Sequence, residues 1–153
     1  MSKHKLVSTK DPKKVPAILR EKSKEIKEIT PEILDLAKQM IEIMNENKGI
    51  GLAAIQVGVP LRMMIIKDSE KDHIFINPEI RKLSKKECPY NEGCLSFPDI
   101  FEEVIRPEKV MVRAETIDGE LMELETDGIL ARIFQHEIDH MEGVVFLDKV
   151  QSK

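Results

Sequence analysis

No apolar run in this chain approaches the roughly 20 residues that a bilayer-spanning helix needs, so a helical membrane protein is not expected. The first ten residues, MSKHKLVSTK, hold no apolar segment of the secretory type. Nor do they form the Arg-rich, acid-poor amphipathic stretch of a transit peptide, so a cytoplasmic location is expected. Cysteine is scarce. Cys88 and Cys94 are too few for a disulfide framework, and with no export signal they read as reduced thiols, one of which could ligate a metal. An excess of basic charge is also missing. The net charge of −4 argues against nucleic acid as the main partner. There is no internal repeat, low-complexity segment or linker. What is left is a globular, soluble chain of 153 residues with 41% apolar and 34% charged residues, read as one domain over 1–153 with a sizeable core.

The polar, lysine-bearing stretch 1–14 reads as a partly ordered, solvated N-terminus, and His4 within it needs no role. Residues 15–29 mix apolar and charged types and read as an irregular arm packed on the core. Thr30 and Pro31 then form a cap followed by proline at the first helical position. Ile33, Leu34, Ala37, Met40, Ile41 and Met44 continue an amphipathic stripe, giving a helix over 31–46. From Arg62 the pattern turns to strands. Residues 63–66 and 73–77 flank a polar turn, and 110–114 and 121–124 flank Asp118-Gly119, a strong hairpin signal. His73 reads as a strand-edge residue, and 81–87 as charged and exposed. The apolar run 144–147 reads as a last short strand.

The chemistry concentrates in Gln135-His136-Glu137-Ile138-Asp139-His140. Histidines four residues apart share one face of a helix, where two imidazoles can grip a single metal ion. Glu137, beside the first histidine, can then reach an attacking water as general base. Ile129, Leu130, Ile133, Phe134, Ile138 and Met141 supply a stripe of helical period, with Asp127 as N-cap and Gly143 as the glycine after the last turn. A catalytic site needs a third protein ligand. Downstream, Phe146 stands where one metallopeptidase pattern has histidine, and Asp148 is close in sequence, so the third ligand is expected upstream. Cys94, held in Glu92-Gly93-Cys94-Leu95-Ser96-Phe97-Pro98, is a candidate, with a buried free thiol as the alternative. Another block, Gly49-Ile50-Gly51-Leu52-Ala53-Ala54-Ile55-Gln56, offers small residues for close backbone approach and an amide at Gln56. Alone it reads as a helix-to-strand loop.

Together the blocks GIGLAAIQ (49–56), EGCLS (92–96) and QHEIDH (135–140), in this order and at these separations, resemble the peptide deformylases. The likeness runs over about 15–150. It implies an α+β fold of antiparallel sheets around a C-terminal helix that carries the metal motif, with an N-terminal helix. It implies Cys94, His136 and His140 as ligands of one divalent metal, Fe²⁺ in the cell with Zn²⁺ or Ni²⁺ able to substitute. It implies Glu137 as general base and acid, and Gln56 with the Leu95 N–H as donors to the formyl oxygen. Gly51 would lie against the substrate backbone. Gly49, Ile50, Gly93, Ile129 and Ile133 are expected to complete the substrate site. The implied reaction removes the N-formyl group from the initiator methionine of nascent chains, releasing formate.

There are departures. Ile55 replaces a common proline and Met141 a usual leucine. The helix after Val150 by which many relatives dock on the ribosome has no expected counterpart here. The rival readings are a metallopeptidase using the same helix, and a structural metal-binding module that would need a fourth ligand, for which Cys88 is the only spare thiol.

Overall fold

A computed structural model describes residues 4–150. The first three residues of the expected N-terminal segment, and the last three of the chain, lie outside the described residues. Helix α1 spans Pro31–Glu46 and α2 spans Gly128–Met141. Between them run β1 (Gly51–Ala53), β2 (Met63–Asp68), β3 (Lys71–Leu83), β4 (Glu87–Cys94), β5 (Phe97–Pro107), β6 (Lys109–Glu115) and β7 (Leu121–Asp127). Five strands form an antiparallel sheet in the order β1-β2-β3-β6-β7, and β4 and β5 form a separate two-stranded sheet.

The apolar run at the start of β2 shows how the layers assemble. Met63 and Ile65 pack with Met40, Met44 and Leu52 on the α1 side of the sheet, whereas Met64 and Ile66 pack with Phe75, Phe134 and Met141 on the α2 side. Alternate residues of a strand face opposite ways, so a strand covered on both faces is apolar without a break. Burying each such side chain is worth about 1.5–3 kcal/mol. A third cluster, with Leu19, Ile55, Phe97, Val104, Val145 and Phe146, joins the N-terminal arm and the C-terminal turn to the β4–β5 sheet. Helix α2 therefore sits between the two sheets, and its His136, Glu137 and His140 are buried along with its apolar stripe.

The cap of α1 is as expected, with the Thr30 side chain accepting from the Ile33 N–H. That of α2 differs. Asp127 holds the cap position, but its side chain makes no cap hydrogen bond. The strand runs directly into the helix, since Asp127 still pairs with Lys109 in the ladder and Gly128, at φ +61°, makes the turn. The block 49–56 is more than a loop, since Gly51–Ala53 adds an edge strand to the sheet and Ala54–Val57 follows as a 3₁₀ turn. The expected strand over 144–147 does not form. Phe146–Lys149 is a 3₁₀ turn, because the Asp148 carboxylate accepts from the Val145 N–H and its own N–H donates to the Val145 carbonyl. Only Val150 then pairs with Val104.

The N-terminal segment is tied down at chosen points. The Val7 N–H donates to the Gln56 carbonyl at 2.7 Å and the Thr9 N–H to the Ser96 carbonyl at 2.9 Å. His4 meets the Gln39 side chain. Further on, Arg20 pairs with Asp148 at 2.5 and 3.0 Å and donates to the Gly143 carbonyl.

Candidate active site

Helix α2 brings His136 and His140 one turn apart, their ring centroids separated by 5.1 Å. The end of β4 brings Cys94 to them, with Sγ 3.4 Å from His140 Nε2. One ligand atom from each of Cys94, His136 and His140 lies within 4.8 Å of the other two. A thiolate with two imidazoles is a donor set for Fe²⁺, Zn²⁺ or Ni²⁺.

His136 is oriented from behind. Its Nδ1 lies 3.0 Å from Glu92 Oε1, which leaves Nε2 for the cluster. Glu92 is itself held by Arg106, at 2.6 and 3.1 Å, and by Arg132 at 2.5 Å. All three charged side chains are buried. Arg106 continues to Asp139 at 2.8 Å, and Asp139 to Lys149 at 3.1 Å. Burial alone would raise the Glu92 carboxyl, but the hydrogen bonds from His136 and Arg106 outweigh it and hold it at about 2. Burial opposes charge on His136 too, yet Glu137, Cys94 and Glu92 together push it well above its ordinary value. The same negative groups favour a metal cation in place of that proton. Burial keeps His140 neutral, well below its ordinary value, which is the form that ligates.

Glu137 is the other telling group. Burial raises its carboxyl to about 7, and among the described residues its Oε1 has no hydrogen-bond partner. An orphaned buried carboxylate oxygen beside three converging ligand atoms fits a hydrolytic metal site. Gly51 lies directly against it, since a Cβ there would stand 2.8 Å from both Glu137 Oε2 and Ile133 Cγ2. Gly49 packs equally closely on Leu95, whose Cδ1 would be 2.5 Å from an added Cβ. Gln56 accepts from the Ala53 N–H at 2.9 Å, and its amide nitrogen reaches Ser96 Oγ at 3.0 Å and Cys94 Sγ at 3.5 Å. A cavity of about 520 Å³ opens over these groups, and Gly49, Ile50, Gly51, Gln56, Gly93, Leu95, Ile129 and Ile133 all line it.

A sequence model of polypeptide deformylases matches residues 4–153. The chain belongs to the polypeptide deformylase family. It is thus a hydrolase that takes the formyl group from the N-terminus of new polypeptides. A peptide deformylase of Bartonella tribocorum is 45% identical over 157 residues, covering 98% of this chain and 85% of its own. The peptide deformylase of Synechococcus elongatus, solved in complex with actinonin, superposes with a TM-score of 0.91 at 35% identity over 99% of this chain and 80% of that one. That of Thermotoga maritima gives 0.90 at 34% identity, over 99% and 100%.

Within the deformylase frame, the structure brings every expected site residue to one cavity or its metal-ligand cluster. Cys88 stays apart from that cluster, its Sγ 3.7 Å from Arg132 Nη2. Not anticipated from the sequence were the buried charges Glu92, Arg106 and Arg132, and Ser96, which fixes the Gln56 amide. The one available signal was that Glu92 and Ser96 bound the EGCLS block.

Proposed function

We propose that Cys94, His136 and His140 hold one divalent cation, Fe²⁺ in the cell, with Zn²⁺ or Ni²⁺ able to substitute, and that the protein deformylates N-formylmethionyl chains. The observation carrying this is Glu137 Oε1, buried without a hydrogen-bond partner among the described residues and beside three converging ligand atoms. When bound, the ion acidifies the attacking water and polarises the formyl carbonyl. Glu137 takes the water's proton and passes it to the methionine nitrogen as the C–N bond breaks, leaving formate and a free amine. A carboxyl held near 7 suits both halves of that transfer. The Gln56 amide and the Leu95 N–H donate where negative charge develops on the formyl oxygen. Ile129 and Ile133, with Gly51, Ile50 and Gly49 across from them, shape a slot for the unbranched methionine side chain. No described helix is long and apolar enough to cross a membrane. The proposed setting is the cytoplasm, where the enzyme meets nascent chains at the ribosome.

The metallopeptidase reading draws no support from the third ligand, which comes from an upstream strand end. A closed structural site lacks its fourth ligand among the described residues. The deciding experiment is formate release from formyl-Met-Ala-Ser, run beside cleavage of an unformylated peptide. Formate without peptide-bond cleavage is expected, and cleavage without formate would overturn the reading. Glu137→Gln should keep metal and fold while turnover disappears.

A further inference from the structure

The Gln56 amide is aimed from both ends. Its oxygen accepts from the Ala53 N–H, and its nitrogen donates to Ser96 Oγ. Both side chains are buried, but they come from different layers. Gln56 lies in the turn Ala54–Val57, which follows β1 of the five-stranded sheet. Ser96 lies in the link between β4 and β5 of the other sheet. The aim of the amide therefore depends on how the two layers sit against each other. Among the described residues, no backbone hydrogen bond joins 54–57 to 94–97 directly.

The N-terminal segment supplies that connection. The Val7 N–H donates to the Gln56 carbonyl at 2.7 Å, and the Thr9 N–H to the Ser96 carbonyl at 2.9 Å. The two residues it grips are the same two that share the side-chain hydrogen bond. Packing fixes the segment on both sides. Leu6 joins the cluster that holds Leu52 and Ala54, while Val7 joins the one that holds Ile55 and Phe97, neighbours in sequence of Gln56 and Ser96. None of residues 7–9 lines the cavity, so any effect they have on the reaction passes through Gln56 and Ser96.

We propose that Val7 and Thr9 are positioning residues for the oxyanion donor. Their backbone N–H groups brace Gln56 and Ser96 at the separation that keeps the Gln56 amide nitrogen aimed at the formyl oxygen. This rests on the deformylase reading of the site and extends its machinery to a segment outside the cavity. Removing an oxyanion donor outright costs about 100- to 1,000-fold in kcat. Loosening a donor that stays in place should cost about tenfold, since small misplacements are felt in the rate.

The test measures kcat and KM for formate release from formyl-Met-Ala-Ser by the full-length, metal-loaded protein. Proline carries no N–H, so Val7→Pro and Thr9→Pro each delete one tie. Each should lower kcat about tenfold with KM and bound metal at the wild-type level, the mark of an interaction made in the transition state. Ser8→Pro is the control, because Ser8 is exposed and its N–H makes no hydrogen bond among the described residues. Gln56→Ala has no amide to aim, so adding either proline change to it should leave its kcat where it was. If a proline change prevents folding, Leu6→Ala loosens the same segment through packing alone. Its smaller loss of kcat should likewise vanish in the Gln56→Ala background. Wild-type kcat in both folded proline variants, a loss that persists in the Gln56→Ala background, or a loss that follows metal content would each overturn the proposal. Absence of formate from the wild-type protein would instead overturn the deformylase reading, and this inference with it.

Discussion

Glu92 reaches His136 across 44 residues of sequence, its Oε1 3.0 Å from the ring Nδ1, while two buried arginines hold its other contacts. The pairing settles which imidazole nitrogen faces the cluster. It also leaves the site dependent on a carboxylate that is not itself a ligand.

Glu92→Gln keeps the shape and removes the charge. Arg106 and Arg132 then lose their shared buried partner, which costs about 3–5 kcal/mol of stability. Metal affinity should fall about 10- to 100-fold. Chelator competition and thermal unfolding on one preparation measure both. Unchanged affinity would reduce Glu92 to a packing role.

Gly51→Ala addresses the reacting centre from the other wall. The new methyl would collide with Glu137 and Ile133 side-chain atoms at 2.8 Å, displacing the base by a fraction of an ångström to an ångström. A displacement of that order costs about 100-fold in kcat/KM. Metal content should stay at the wild-type level, since the atoms nearest an added Cβ belong to Glu137 and Ile133 and not to the three ligands. A fully active Gly51→Ala protein would refute the proposed place of Glu137.

The ligand set predicts a simple contrast. Cys94→Ala, His136→Ala and His140→Ala should each lose bound metal, because each removes one of three converging atoms. Cys88→Ala should retain it, since Cys88 lies against Arg132. Metal analysis of the four purified variants decides, and equal loss in Cys88→Ala would point to a four-ligand structural site.

Acid sensitivity should reveal the Arg20–Asp148 pair. The Arg20 hydrogen bond draws the Asp148 carboxyl below its usual 3.8, against a smaller opposing effect of burial. A depressed folded-state value means the stabilisation is complete above 3.8 and fades as pH falls through the lower folded value. Both side chains are more than a third exposed, so the ion pair itself contributes under about 1 kcal/mol. The stability gap between wild type and Asp148→Asn should be constant from pH 7 to about 5 and narrow only at strongly acidic pH. A gap that widens on acidification would contradict this.

Local signals and the three sequence blocks carried a large part of the architecture. Thr30-Pro31 and the stripe behind it mark α1, Asp118-Gly119 marks the β6–β7 hairpin, and the spacing of His136 and His140 marks the metal face of α2. Of strands β4 and β5 only the block around Cys94 stands out in the sequence. Pro89, Pro98 and Pro107 interrupt their pattern, and a two-stranded sheet, being all edge, tolerates them. The charges Glu92, Arg106 and Arg132 carry no local sign of burial, because their partners lie 14 to 44 residues away. The run 144–147 has strand composition, but Asp148 captures the Val145 N–H before a ladder can form. A side chain three residues on that takes up a backbone N–H competes with the ladder, and composition alone does not reveal it.

The ties of Val7 to Gln56, Thr9 to Ser96 and Arg20 to Asp148 carry a consequence for the order of events during the protein's own synthesis. Residues translated early find their partners only when the middle and the far end of the chain have been made. The metal ligands share that delay, for Cys94 waits on His136 and His140. Contacts this distant in sequence close late. An enzyme that acts on nascent chains therefore completes its own ligand cluster only after the stretch through His140 has left the ribosome.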